Sequence, residues 1–144
     1  MRKTLALVLS LVLLLVVLCG CTDTNANETL QYNTAYPLGD AEYQMAVNHK
    51  LAPLISELQP LANAEDIAAE QAEAAVISIA EVHTDISAMN PPKDKVMYQT
   101  DLLADLQTAS DWLKAQYDDT AVCPDRAFSD ILRDIENAFN VSVN

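Results

Sequence analysis

The sequence predicts an all-α protein, and the architecture it favours is an up-and-down antiparallel four-helix bundle. Apolar residues recur at helical spacing in four successive segments between residues 40 and 140. Outside these segments, no stretch of strand length alternates apolar and polar residues. The connections near residues 59–64, 89–93 and 118–125 are short, which favours antiparallel neighbours. The alternative is a three-helix bundle with a kinked first segment lying loosely across it.

The first predicted helix begins after Gly39. Pro53 lies within it and lacks a backbone N–H, so the helix should kink or restart near residues 49–53. Pro60 should then end it. The apolar face of this helix consists of Tyr43, Val47, Leu51, Leu54, Ile55 and Leu58.

The second predicted helix carries a heptad-like seam that starts with small residues and ends with large ones. Asn63 is its candidate N-cap, with Glu65 and Asp66 in the first turn, where acids complement the helix dipole. Such a seam packs at a shallow angle against neighbouring helices, so this helix should be a central element. Pro91 and Pro92 should end it. The seam consists of Ala68, Ala72, Ala75, Ile79, Val82, Ile86 and Met89.

The third and fourth helices follow Pro92 and Asp125, which can occupy a first turn and an N-cap position. Trp112 and Leu113 are adjacent and cannot point the same way, so one of them should lie at the edge of the bundle. Trp112 and Tyr117 are therefore the candidate partner surface. The apolar positions are Val96, Leu102, Leu103, Leu106, Ala109, Trp112, Leu113 and Tyr117 in the third helix, and Phe128, Ile131, Leu132, Ile135 and Phe139 in the fourth.

Residues 1–20 have the layout of a secretory signal peptide. Two basic residues precede an apolar run, Leu5 to Leu18, that is shorter than the roughly 20 residues of a membrane span. The run ends in Leu18-Cys19-Gly20-Cys21, which resembles the lipobox of prokaryotic lipoproteins. This resemblance implies cleavage before Cys21 and lipidation of Cys21 on sulfur. The alternative is an uncleaved N-terminal anchor, which also tethers the chain.

The resemblance also implies where the protein resides. Residues 21–39 would form a lipidated cysteine and a flexible polar tether, and residues 40–144 would form the helical domain. The domain would sit on the extracytoplasmic face of the cell membrane, or on the outer membrane if the host has two membranes. In outline the chain is similar to small helical-bundle envelope lipoproteins that have no assigned activity.

The charge of the chain restricts its partners. Residues 21–144 carry 6 basic and 21 acidic side chains, a net charge of −15. A surface of this sign repels phosphate backbones, so we expect no nucleic-acid partner. The expected partners are the membrane, through the lipid on Cys21, and an envelope protein.

No catalytic signature is present in the sequence. Gly39 is the sole glycine after residue 20, so a glycine-rich phosphate loop or dinucleotide fingerprint cannot be built. The common sequence forms of serine hydrolases, zinc proteases and haem attachment are also missing. We therefore expect a non-enzymatic protein without a cofactor that acts by protein contacts.

Metal ligands are few. Neither His49 nor His83 has a glutamate three residues earlier, so the Glu-x-x-His pattern of di-iron bundles is missing. Met45, His49 and His83 are weak metal candidates; otherwise Met45 fills core space and the histidines lie at helix boundaries or face solvent. The alternative function is a lipoprotein that binds a small ligand or a cation in a cleft between helices. Cys123 is expected to be a small buried or loop residue without an intramolecular disulfide partner. The alternative is an intermolecular disulfide.

Overall fold

The structure, a computed structural model, describes residues 37–140, with side chains described as far as Ala138. This range contains four α-helices and no strand, which confirms the all-α class. The helices are α1 (Asp40–Ala62), α2 (Ala69–Ser87), α3 (Val96–Lys114) and α4 (Phe128–Asn140), and a 3₁₀ turn (Lys93–Lys95) leads into α3.

Each helix contacts the next one along the chain, and α4 contacts α1. Within the described range, no Cα atom of α1 lies within 8 Å of α3, and none of α2 lies within 8 Å of α4. The side chains of Tyr43 on α1 and Tyr98 on α3 nevertheless meet. Two contacts show that α1 and α2 are antiparallel. Lys50 Nζ lies 2.7 Å from Asp85 Oδ2, and the Ser78 hydroxyl donates to Glu57 over 3.0 Å, so residues later in α1 meet residues earlier in α2. The α3–α4 pair is antiparallel as well, because Tyr98 contacts Ala138 and Trp112 contacts Phe128.

All four helices contribute to one apolar core, and α1 contributes the largest share. Burial of this apolar surface is the main term that stabilises such a domain. Because α1 is as deeply buried as the others, it does not lie loosely across three of them. The buried apolar residues are Tyr43, Ala46, Val47, Leu51, Leu54, Ile55 and Leu58 in α1; Ala72, Ala75, Ile79 and Ile86 in α2, with Met89 just after it; Leu102, Leu106, Ala109 and Leu113 in α3; and Phe128, Ile131, Leu132 and Ile135 in α4.

Helix α1 is continuous through Pro53 and through Pro60. Of the two predicted alternatives near residues 49–53, a kink or a restart, the restart was therefore wrong, and so was the predicted end at Pro60. Each proline removes a single backbone donor, and both proline rings are exposed. The loss of one hydrogen bond at each position is offset by the buried leucines on either side, so the helix continues to Ala62.

The predicted N-caps of α2 and α4 were also wrong. Asn63 instead follows the end of α1, where its side-chain amide donates to the Gln59 carbonyl over 2.9 Å. Helix α2 begins six residues later, at Ala69. Helix α4 begins at Phe128, and the Ala127 carbonyl accepts its first hydrogen bonds, so Asp125 lies before the cap position.

The α2 seam is buried over most of its length. Ala72, Ala75, Ile79, Ile86 and Met89 are buried, as predicted. Val82 is half-buried because it lies at the edge of the seam, and Ala68 is exposed because it precedes the helix. In α3, Val96 is 48% exposed, since it lies in the first turn and not under a neighbouring helix.

The start of α1 lies beside the connection between α2 and α3, since the Leu38 amide donates to the Asn90 carbonyl over 3.0 Å. We call this the tether end. The opposite end, the far end, comprises the loops at residues 63–68 and 115–127. The 19 residues of α3 separate the two ends by about 28 Å, at 1.5 Å of rise per residue. Among the described helices, none combines the length and apolar character needed to cross a bilayer.

Candidate interaction surface

Trp112 lies at the edge of the core, where α3 meets the start of α4. Its indole stacks on the ring of Phe128, with centroids 4.9 Å apart and planes inclined by 25°. The adjacent Leu113 is fully buried. Of the two neighbouring side chains, Trp112 is therefore the one at the edge. Trp112 is half-buried, so part of the indole is accessible to solvent.

Two apolar side chains are exposed in the loop that follows α3. Tyr117 lies three residues after the helix end and is 38% exposed, and Val122 is 85% exposed. The Asp118, Asp119 and Asp125 side chains around them are exposed too. Sequence reasoning selected Trp112 and Tyr117 but missed Val122. A lone valine in an aspartate-rich loop was the signal that could have identified it.

A shallow cleft of about 430 Å³ lies between the end of α1 and the first half of α4, at the far end. Most of its wall is polar and exposed, and Leu132 forms a buried apolar floor. Sequence reasoning did not identify this cleft, because it joins positions some 70 residues apart. The lining residues are Ser56, Gln59, Pro60, Ala62, Asn63, Ser129, Leu132 and Glu136.

Three of the donors around the cleft already have partners within the chain. Gln59 Nε2 donates to Glu136 Oε1 over 3.0 Å, and Asn63 Nδ2 donates to the Gln59 carbonyl over 2.9 Å. The Ser56 hydroxyl donates to the Ala52 carbonyl over 3.1 Å. Pro60 has no backbone N–H to offer. Gln59, Asn63 and Glu136 line the cleft, and each has a side-chain oxygen that accepts none of these three hydrogen bonds.

Arg126 links α3 to α4 at the far end. Its guanidinium reaches Asp105 Oδ1 over 3.3 Å and also donates to Asp134 Oδ2. Burial raises the pKa of Asp105, whereas the hydrogen bond and the charge of Arg126 lower it, and Asp134 and Asp101 raise it. Asp105 is therefore part of an ion-paired connection between helices.

Asp118 forms a local turn in the same loop. Its Oδ1 accepts from the Thr120 hydroxyl over 2.6 Å and from the Thr120 amide over 2.9 Å. These two hydrogen bonds, the hydroxyl first, lower the pKa of Asp118. Such a turn orders the chain between the exposed Tyr117 and Val122.

The weak metal candidates lie on two helices, Met45 and His49 on α1 and His83 on α2. Met45 is 64% exposed, so the interpretation that it fills core space was wrong. His49 is exposed one turn further along α1, and His83 is half-buried on α2. From residue 37 to residue 140, no group of three or more His, Cys, Asp or Glu side chains is arranged to hold a metal ion.

Three polar atoms are buried near the tether end. They are Tyr43 Oη, Gln44 Nε2 and Asn48 Oδ1, and none has a hydrogen-bond partner among the described residues. The Tyr43 ring is fully buried and meets Tyr98 edge to face, with centroids 6.4 Å apart. Burial raises the pKa of Tyr43, and the neighbouring Tyr98 raises it further. A buried polar atom without a partner costs about 1–3 kcal/mol.

Two predicted cysteine roles have different outcomes. Cys21 lies outside the described residues, as do the signal peptide and the tether up to residue 36, so its lipidation stays a prediction. Cys123 is exposed in the far-end loop as a free thiol, and its Sγ lies 3.7 Å from the Pro124 carbonyl oxygen. The loop position of Cys123 was predicted.

The chain was compared with models of protein families, with curated proteins and with solved structures, and none of these comparisons finds a match.

Proposed function

We propose that the protein is a lipid-anchored extracytoplasmic lipoprotein that acts by protein–protein contacts and has no catalytic activity. In this proposal, residues 40–144 form an up-and-down antiparallel four-helix bundle. The cyclic order of helix contacts and the antiparallel α1–α2 and α3–α4 pairs support that topology. The lipobox at Cys21 supports the anchor.

The observation that carries the proposal is that two exposed apolar side chains, Tyr117 and Val122, lie in one loop at the far end. The other large apolar side chains exposed within residues 37–138 are Met45, Val96 and Met97 towards the tether end and Ile77 on α2. Tyr117 and Val122 lie at the far end, about 28 Å from the end where Leu38 contacts Asn90, as judged from the length of α3. The chain that leads from Cys21 enters the described range at residue 37, at the opposite end of α3. Exposed aromatic and aliphatic side chains beside half-buried Trp112 are the kind of groups that anchor protein interfaces.

The alternative function, binding of a small ligand, is less well supported by the shape of the surface. Small-molecule sites are typically concave and largely apolar, and they enclose most of the ligand. The cleft between α1 and α4 is shallow, and Ser56, Gln59, Asn63 and Ser129 on its walls are exposed. Such a cleft suits one side chain of a protein partner better than a whole small molecule.

Site-specific photo-crosslinking in intact cells tests the proposal. A benzoyl-phenylalanine placed at Tyr117 or Val122 should form a covalent adduct with one defined protein. The matched control position is Met97, which is 72% exposed but lies at the tether end. Adducts at position 97 alone, or none at 117 and 122, would overturn the proposal.

A further inference from the structure

The cleft between α1 and α4 contains one charged side chain, Glu136, and within the described residues no cation pairs with it. Glu136 is half-buried and accepts one hydrogen bond, from the neutral amide of Gln59. A carboxylate that is partly removed from water gains more from a cationic partner than a fully exposed carboxylate does.

Within the described residues, no unpaired basic side chain lies near the cleft. After residue 20 there are six basic residues, and all of them are described. Four of these basic residues form ion pairs with aspartates. The remaining two, Lys93 and Lys95, lie in the 3₁₀ turn at the tether end, at the other end of α3. The paired residues are Lys50 with Asp85, Lys114 with Asp111, Arg126 with Asp105 and Asp134, and Arg133 with Asp130.

The other polar groups around the cleft also favour a ligand that donates hydrogen bonds. Three donors around it are used within the chain, and the oxygens of Gln59, Asn63 and Glu136 remain as acceptors. Helix α1 ends at this cleft with no basic residue in its last turn, so its carbonyl ends add negative potential. Leu132, Pro60 and Ala62 offer apolar surface for an aliphatic stem.

We propose that this cleft binds an arginine side chain of the partner protein, with Glu136 as its counter-ion. A guanidinium carries five donors in a planar fork, which suits a carboxylate flanked by two amide oxygens, and its stem can cover Pro60 and Leu132. This inference rests on the proposed function, and it specifies one chemical feature of the partner.

The test is an NMR titration of the isotope-labelled full-length chain in detergent micelles with N-acetyl-arginine amide. Saturable shifts are expected in the side-chain amide signals of Gln59 and Asn63 and in the backbone signal of Ser129. The neutral probe N-acetyl-citrulline amide has nearly the same shape and should bind about tenfold more weakly, the change that the loss of 1.4 kcal/mol produces.

Two variants make the test specific. Glu136→Gln should weaken arginine-amide binding about tenfold, and its spectrum away from the cleft shows whether the fold is kept. Glu81→Gln removes the same charge from the exposed face of α2 and should leave binding unchanged. Equal binding of both probes, unchanged binding to Glu136→Gln, or shifts spread over all acidic residues would overturn the inference.

The outcomes also separate this inference from the proposed function. If arginine amide binds at the cleft but no far-end adduct forms in cells, the arginine site is supported and the proposed function is rejected. Far-end adducts together with no arginine-amide binding would retain the function and reject the cleft.

Discussion

Trp112 stacks on Phe128 across the junction between α3 and α4, with ring centroids 4.9 Å apart. This contact lies at the end of the loop that carries Tyr117 and Val122, and it holds the last turn of α3 against the first turn of α4. The Trp112–Phe128 stack therefore helps to fix the position of the loop at residues 115–127.

A double-mutant cycle should detect the stacking. Trp112→Leu and Phe128→Leu should show a coupling of about 0.5–1.5 kcal/mol in urea unfolding, as aromatic pairs do beyond the area that they bury. The control cycle combines Trp112→Leu with Ile86→Ala. Ile86 lies beside Gln99, which precedes Trp112 by 13 residues, or about 20 Å, along α3. Those two changes should add to within about 0.5 kcal/mol. Equal coupling in both cycles would contradict a specific stack.

The α2 seam provides the second prediction. Ile79 and Ile86 are 1% and 0% exposed, so Ile79→Ala and Ile86→Ala should each lower the free energy of unfolding by about 2–5 kcal/mol. Val82→Ala should cost less, because Val82 is half-buried and loses fewer atoms. Gln71→Ala, on the exposed face, is the control in thermal melts. Isoleucine losses no larger than that of the control would show that the buried face has been assigned wrongly.

The carboxyl of Asp105 should titrate above its ordinary value of 3.8, because burial outweighs the contacts with Arg126. A raised folded-state pKa means that ionisation costs folding free energy. The cost is absent below the unfolded-state pKa and complete above the folded-state pKa, so stability due to Asp105 falls as pH rises through that window. Arg126→Ala should raise the pKa of Asp105 further, because the hydrogen bond and the positive charge of Arg126 both lower this pKa. A pH titration followed by carbon-13 NMR of the side-chain carboxyl signals measures the pKa of Asp105 in the unchanged protein and in the variant.

Asp118 serves as the internal comparison in the same titration, because its pKa is lowered by Thr120 and its carboxyl is fully exposed. Its midpoint should lie below that of Asp105. Thr120→Val removes the hydroxyl hydrogen bond and should move the Asp118 midpoint upward without affecting Asp105. A midpoint for Asp105 at or below that of Asp118 would contradict the assigned effect of burial.

Cys21→Ser should abolish incorporation of labelled fatty acid into the protein, since the serine has no sulfur to form the thioether. Cys19→Ser is the matched control, because Cys19 would be removed with the signal and its replacement leaves Cys21 in place. Labelling should persist in that variant. Continued labelling of Cys21→Ser would reject the lipobox interpretation.

Metal addition should leave the melting temperature unchanged. Met45 and His49 are exposed, and no metal-binding group is found within residues 37–140. A ligand that binds the folded state alone at a hundred times its Kd stabilises by about 2.7 kcal/mol, which a thermal-shift assay with copper or zinc would detect. A rise of several degrees that His49→Ala or His83→Ala removes would favour the alternative, cation-binding function. A small calcium effect that disappears in moderate salt would reflect charge screening.

The sequence was sufficient to predict the fold class and most of the core. Four amphipathic segments require four helices, and Ile79, Ile86 and Leu113 were assigned correctly because burial follows helical periodicity. Helix ends were harder to predict, because local signals compete. Asn63 is a good N-cap residue, but its amide instead caps the C-terminus of α1 by donating to Gln59.

The features of the far end could not be predicted because they depend on tertiary distances. Arg126 joins Asp105 and Asp134, which are 29 residues apart in sequence, and no periodicity marks that connection. The cleft around Glu136 likewise exists because the end of α1 lies beside α4. Sequence alone supplies residue types at such sites but not their proximity.

The hydrogen bond between Leu38 and Asn90 has a mechanical consequence. A pulling force applied through the chain before Pro37 is transmitted to the first turn of α1 and, through this bond, to the α2–α3 connection. Once the bond breaks, further extension must unwind α1 from its first turn and draw the fully buried Tyr43 out of the core. Unfolding under such a force should therefore begin at the first turn of α1. The far-end loops should keep their conformation until much of α1 has unfolded.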